Sequence, residues 1–150
     1  MKKYELLNTD TKIVFEKKLF RIKALISFGD VKEGDIGGYI ESEKNLDHSG
    51  NAWVYGDAWV YGNARVSVNA SLNATTDYFT IGAIGSRNAT TTFYKTKGKE
   101  IFVACGCFNG SMADFRAKVV ETHSGTKHEA HYLKACELAE MMLGECDRNE

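Results

Sequence analysis

The sequence predicts a mainly β protein with an α+β C-terminal part: a short hexapeptide-repeat β-solenoid segment, then a small sheet with two C-terminal helices. Three observations lead there. Four six-residue units run back to back: Ala52-Trp-Val-Tyr-Gly-Asp57, Ala58-Trp-Val-Tyr-Gly-Asn63, Ala64-Arg-Val-Ser-Val-Asn69 and Ala70-Ser-Leu-Asn-Ala-Thr75. Beyond them lie three segments rich in β-branched and aromatic residues, which favour strands. Two capping signals then open helices with one apolar face each.

The repeat carries the first of these inferences. A period of six fits neither an α-helix nor one uninterrupted strand, so the chain must turn at a fixed interval. Its third position is always aliphatic (Val54, Val60, Val66, Leu72), and four residues on comes a small residue (Ala58, Ala64, Ala70, Thr76). Gly-Asp and Gly-Asn stand where the chain bends, and both types tolerate positive φ. An aliphatic residue stacked inside each corner and a small residue at each turn are what a parallel β-helix needs.

The predicted organisation is residues 1–50 as an N-terminal hairpin and solenoid cap, 51–76 as the solenoid, and 77–150 as the α+β part. Residues 12–16 and 19–26 alternate apolar and polar side chains, with Glu16-Lys17-Lys18 as the hairpin connection. Gly29-Asp30, Gly34-Asp35 and Gly37-Gly38 punctuate a loop-rich stretch that follows. After Thr76, residues 78–84, 90–95 and 100–105 read as three strands, the last two joined through Lys97-Gly98-Lys99. Ser111 with Asp114 caps one helix, whose Met112, Phe115 and Val119 share a face. Thr126 with Glu129 caps another running to about Leu143, with Tyr132, Ala135, Ala139 and Met142 on one side and Gly144 as its stop. The tail from Glu145 is expected to fray.

Twenty-four residues of repeat make little more than one β-helical coil, and one coil cannot bury its own interior. The segment is therefore expected to be completed by the N-terminal part, by other subunits, or both. Trp53, Tyr55, Trp59 and Tyr61 are the candidate oligomer interface, because aromatic residues dominate such contacts. A homo-oligomer, trimeric or a multiple of three, is the expectation.

Composition narrows the functions. A formal net charge of -1 argues against binding polymeric nucleic acid through backbone neutralisation. No apolar stretch is long enough for a bilayer, and Met1-Lys2-Lys3 is followed by Tyr-Glu and not by an apolar signal core. A cytoplasmic protein is expected, with Cys105, Cys107, Cys136 and Cys146 as reduced thiols.

Among segments with chemistry, Phe108-Asn109-Gly110-Ser111 follows a strand and enters a helix. Free N–H groups of that first turn can hold a phosphate, and Phe108 can stack on a base. The plainer reading is an ordinary strand-to-helix turn with Ser as N-cap. Arg87, between Ser86 and Asn88 in a loop between strands, offers bidentate phosphate recognition that a lysine does not. Thr91 and its threonine neighbours add hydroxyls, Tyr94 is a second stacking candidate, and Arg116 flanks the apolar face of the first helix. Each has its plain alternative: a solvated loop arginine, a β-propensity threonine run, a solvated helix position.

His123, His128 and His131, with Cys105 and Cys107, suggest zinc, but Cys-x-Cys is not a Cys-x2-Cys knuckle and the histidines lack an upstream pair. No metal and no cofactor are expected. Nucleophilic motifs are missing from the sequence: there is no Gly-x-Ser-x-Gly elbow and no P-loop. Asp30, Asp35 and Asp57 sit beside glycine and read as turn residues.

The repeat register resembles the hexapeptide left-handed β-helix of bacterial acyltransferases, over residues 52–76. A closer resemblance is to small phage-encoded proteins with a Gly-Asp-Val…Gly-Asp-Ile-Gly-Gly-Tyr-Ile-Glu segment ahead of Tyr-Gly-Asp/Asn-Ala repeats. Here it stands as Gly29-Asp30-Val31 and Gly34 to Glu41. The C-terminal half carries Ile81 to Asn88, Thr91 to Tyr94 and Cys105 to Gly110 ahead of its helix pair. In order of elements it is similar to phage anti-defence sponges of the anti-Thoeris or anti-CBASS type. That resemblance implies a non-enzymatic oligomer in the host bacterial cytoplasm that sequesters a nucleotide-derived immune signal, cyclic ADP-ribose-like or a cyclic oligonucleotide, without cleaving it. Its contacts would come from Arg87 and the Gly110-Ser111 helix start, with Phe108 or Tyr94 on a base. Two alternatives stand beside it. An acyltransferase would need a histidine base, and His48 is the one near the repeats. A structural or protein-binding oligomer would dock through the Trp53/Trp59 and Tyr55/Tyr61 ladder and take no small ligand.

Overall fold

The computed structural model describes residues 2–144, which form two compact units meeting in sequence between Asp77 and Tyr78. The expected fraying of the tail and the state of Cys146 lie outside the described residues.

The first unit opens with a long hairpin, β1 (Tyr4–Val14) against β2 (Lys17–Ala24). Its connection is the pair Phe15-Glu16, both at positive φ (49° and 65°), and Lys17 and Lys18 already belong to β2. An irregularity between Leu7 and Thr11 of β1 bulges residues 8–10. The bulge sets Asp10 beside Arg21, whose Nε donates to Asp10 Oδ2 at 3.1 Å. Arg21 also donates through Nη1 to Gly37 O (2.9 Å) and Gly56 O (3.1 Å), and through Nη2 to the Tyr39 hydroxyl (2.8 Å).

The Gly37-Gly38 pair, expected in a loop, lies in β3 (Ile36–Ile40), antiparallel to β2. Close approach requires both glycines. A Cβ on Gly37 would stand 2.6 Å from Val54 O, and one on Gly38 2.5 Å from Ala58 O.

The repeats follow as β4 (Trp53–Val54), β5 (Trp59–Val60) and β6 (Ser71–Leu72). Here the predicted fold class is corrected, because these residues do not build a β-solenoid. β5 joins the first sheet, of order β1-β2-β3-β5, while β4 and β6 pair with each other in a separate two-stranded parallel sheet. The described residues form a mixed α/β structure with sheets of four, two and four strands and two α-helices. Physically, the period specifies burial and turning, not strand partners. Ala52, Val54, Ala58, Val60, Ala64, Val66, Ala70 and Leu72 all point inward with at most 4% exposure. Gly56 and Gly62 turn the chain at φ 60° and 67°. Each unit supplies at most two strand residues, so the ladder partners come from β3 and from distant units.

The second unit is an antiparallel sheet, β7 (Tyr78–Ile84), β8 (Ala89–Lys95), β9 (Ile101–Cys105) and β10 (Phe108–Ser111), in the order β7-β8-β9-β10. It has four strands where three were expected. Gly106 takes φ 58° in a two-residue turn that pairs Phe108 with Cys105, so the segment read as a turn into a helix extends the sheet. Helix α1 (Met112–His123) starts at Ser111, whose Oγ accepts from the Asp114 N–H at 3.1 Å. Helix α2 (Lys127–Ala139) continues into a π-helical stretch over Glu140–Gly144. Thr126 makes no side-chain bond into α2; its hydroxyl donates back to His123 O at 2.7 Å. Both helices press one face on the sheet. Met112, Phe115 and Val119 from α1 and Tyr132, Ala135, Cys136 and Ala139 from α2 surround Phe93 and Val103. No helix among the described residues is long and apolar enough to cross a membrane.

Candidate functional site

The second unit carries a cleft of about 510 Å³ between the tips of its two hairpins and the facing sides of α1 and α2. One wall is the turn Gly85–Asn88 between β7 and β8, closed by a bond from Asn88 N to Gly85 O at 3.1 Å. This turn lifts Arg87 out of the sheet and lays its guanidinium over Gly106 in the facing hairpin, so a Cβ on Gly106 would collide with it. Gly106 is thus fixed twice, by its φ and by the arginine above it.

The floor is aromatic. Phe108 packs on Phe115 with ring centroids 5.3 Å apart, and Tyr132 meets Phe115 edge to face at 5.6 Å. Below them Thr91 Oγ1 donates to Cys105 Sγ at 3.3 Å, and that thiol in turn lies 3.8 Å from the Tyr132 hydroxyl as its donor. Burial, reinforced by Cys105, pushes the Tyr132 phenol up to about 12. Tyr132 therefore keeps its proton at neutral pH.

The rim is basic: Arg87, Lys118 and His123 line the cleft, with Ser86, Cys107 and Thr122, and no carboxylate lines it among the described residues. Among the described residues Lys118 pairs with Glu121 at 3.8 Å, an exposed contact too loose to neutralise it. Three nitrogenous groups over aromatic faces can hold a phosphate beside a stacked ring.

Of the residues expected as ligand contacts, Arg87 and Phe108 meet here and the rest do not, while Cys105, Cys107 and His123, weighed in the sequence for zinc, line the same cleft. Asn109, Gly110 and Ser111 are strand residues, with Gly110 opposite Val103 and Ser111 opposite Phe102, so their backbone is no open helix start. The Ser111 hydroxyl is used as the cap. Tyr94 is buried, one residue on from Phe93 and so on the opposite face of β8, and its hydroxyl donates to Asn109 Oδ1 at 2.7 Å. It cannot stack on a ligand in this cleft. Thr91 is buried beneath the floor. Asn88 faces a neighbouring cleft. Arg116 is held in a fork by Glu140, both bonds 2.9 Å, and that bond keeps the Glu140 carboxyl below its usual range.

The aromatic ladder is likewise divided. Trp53 is 1% exposed, packed edge-on against Tyr4 (6.2 Å) and Phe28 (5.4 Å), and is a core residue of its unit. Trp59 and Tyr61 are half-buried beside Val14, Leu19 and Tyr39, and Tyr55 is half-buried. His48 does not stand free as a base: its Nδ1 accepts from Lys3 N (3.1 Å) and its Nε2 bonds Glu43 Oε1 (2.9 Å).

Lys118, Thr122, His123 and Tyr132 complete the site without having been foreseen as ligand contacts. A signal existed: Phe115, Lys118, Val119, Thr122 and His123 follow the i, i+3, i+4, i+7, i+8 spacing of one helix face. Among the described residues no group of three His, Cys, Asp or Glu is arranged to hold a metal ion. No protein-family model matches the chain, and no curated protein matches it.

Proposed function

We propose that this protein binds, without turning over, a small nucleotide-derived anion in the Arg87 cleft. The observation that carries the reading is the meeting of Arg87, Lys118 and His123 with Phe108 and Tyr132 in one cleft, whose described lining holds no carboxylate. A phosphate bonds the Arg87 fork while a base lies on the Phe108 ring. Tyr132, protonated at neutral pH, supplies a donor and no general base. The order of elements in the C-terminal half, a small sheet followed by two helices, is similar to that of phage anti-defence sponges and supports the biological form of the proposal. On that reading the protein is a phage-type homo-oligomeric sponge that withdraws a host immune signal, cyclic ADP-ribose-like or a cyclic oligonucleotide.

Calorimetric titration with ADP-ribose as probe tests the site. The wild type is expected to saturate and to release the probe chemically unchanged. Arg87→Ala is expected to bind about tenfold or more weakly, the scale of a lost charge-assisted hydrogen bond. Phe108→Leu, which keeps the packing and removes the ring face, should weaken binding as well, and Arg116→Ala should leave it intact. Equal affinity in wild type, Arg87→Ala and Phe108→Leu discards the reading. Native mass spectrometry of protein taken from bacteria with an active nucleotide-signalling defence reports subunit count and any retained adduct together.

A further inference from the structure

Tyr132 separates the Arg87 cleft from a second one. Its hydroxyl abuts Gly85, where a Cβ would collide with it, and Gly85 belongs to the wall of a concavity of about 540 Å³ between β7 and α2. That volume is within the range of small-molecule sites.

The second cleft has two ends of different character. Lys127, His131, Lys134 and Leu138 all line it, at spacings of four, three and four that place them on one helix face. The face passes from cationic to apolar along α2. Opposite stand Ile81, Ala83 and Ile84 of β7, and among the described residues no carboxylate lines the cleft. Lys127 with His131 (i, i+4) and His131 with Lys134 (i, i+3) set three basic side chains along one helix face, where like charges repel one another. An anion would remove that repulsion. Glu137, 3.4 Å from Lys134, offers an exposed counter-charge outside the cleft. His128 also lines this cleft, its ring 5.6 Å from that of His123, and is held below its ordinary range by burial and by His123, Lys127 and His131. Its Nδ1 is buried with no hydrogen-bond partner among the described residues.

We propose that the β7–α2 cleft is a second small-molecule site, taking an amphipathic organic acid with its carboxylate at Lys127, His131 and Lys134 and its apolar chain on Ile81, Ile84 and Leu138. The chemistry selects this class over a nucleotide. The cleft offers lysine point charges and no guanidinium fork, and half of its wall needs an apolar partner. It is independent of the ligand assigned to the Arg87 cleft.

The test uses octanoate, octanol and acetate as probes of the full-length chain, by calorimetry and by amide chemical shifts. Octanoate is expected to saturate one site and shift Ile84, Lys127 and Leu138 resonances. Octanol lacks the charge and acetate lacks the chain, so each is expected to bind about tenfold or more weakly. The double variant Lys127→Gln/Lys134→Gln, at two exposed positions, should lose octanoate to the same degree and keep ADP-ribose binding. Arg87→Ala should keep octanoate. The proposal is overturned if octanoate does not saturate at millimolar concentration, or if octanol binds as tightly. It is equally overturned if the double variant retains affinity, or if Arg87→Ala abolishes it.

Discussion

Val68 occupies the fifth position of the third hexapeptide, where the first two units have Gly56 and Gly62, and it adopts the same turn with φ 58° against their 60° and 67°. A β-branched residue resists that conformation, at about 1–2 kcal/mol. Val68→Gly is therefore expected to stabilise its unit by about 1 kcal/mol, after the greater unfolded-state freedom of glycine is subtracted. Gly56→Ala and Gly62→Ala test the same argument in reverse. Nothing lies within 4 Å of a Cβ at either site, so the expected loss of about 1 kcal/mol is backbone strain alone. Denaturant unfolding followed by tryptophan fluorescence measures all three, since Trp53 and Trp59 are the chain's two tryptophans and both lie in the first unit. An unchanged midpoint in Val68→Gly would show the position to be relaxed. Residue chemistry of this local kind was legible in the sequence: glycine at turns, alanine and valine inward, serine at a cap. The use made of a long polar side chain was not. Arg87 and Arg116 look alike in sequence, and what separates them is Glu140, twenty-four residues from Arg116, which only the fold brings to 2.9 Å.

The β1–β2 hairpin shows the limit at the next scale up. Its alternating pattern predicts two strands, and two strands form, but the turn falls one residue earlier than the charges suggest. A two-residue connection with positive φ at both positions is the type that matches strand twist, and it prefers Asn-Gly. Phe15-Glu16 supplies neither, and Phe15 is 75% exposed with its ring 6.2 Å from Tyr61. Pairing of Val14 with Lys17 on the strands sets the turn against its own propensity. Glu16→Gly keeps that ring contact and is expected to stabilise the hairpin by about 0.5–1 kcal/mol. The same fluorescence assay should show a higher midpoint with an unchanged denaturant slope; a lower midpoint would mean that Glu16 makes a contact worth more than its strain. β10 was hidden for the opposite reason. Phe108-Asn109-Gly110-Ser111 is too short and too mixed to announce a strand, and its pairing with β9 decides it. That error also hid the cleft, since reading residues 108–111 as a helix start left Lys118 and His123 without the wall that the β9–β10 hairpin provides.

For the molecule as a whole, the repeat predicted inward-pointing side chains correctly and the architecture wrongly, because six-residue periodicity says where a chain turns and not which segments pair. Long-range pairing also buries Lys3, a consequence no local pattern reveals. The Lys3 residue is 1% exposed, with Nζ donating to Ala52 O (2.8 Å) and Gly50 O (3.2 Å) and standing 4.5 Å from the Phe28 ring. Burial lowers its ammonium from 10.5 to about 8, with Asp47 opposing the shift. The folded protein therefore releases a proton near pH 8 that the unfolded chain keeps until 10.5. Unfolding takes up that proton in between, so stability rises with pH across this window and is lower below it. Between pH 7 and 9 the gain is expected to be about 1 kcal/mol. From about pH 8 upward the trend is opposed, because Cys136, raised by burial from 9.0 to about 11, and the buried Tyr4 hydroxyl, raised above its ordinary 10.0, both hold protons more tightly when folded. Tryptophan-detected unfolding at pH 7 and pH 9 in wild type and Lys3→Met isolates the lysine by difference, and Lys3→Met should remove the rise. Parallel curves for wild type and Lys3→Met across that interval would show that Lys3 stays charged in the folded protein, with its two carbonyl acceptors and the Phe28 face sufficient to hold an ammonium out of water.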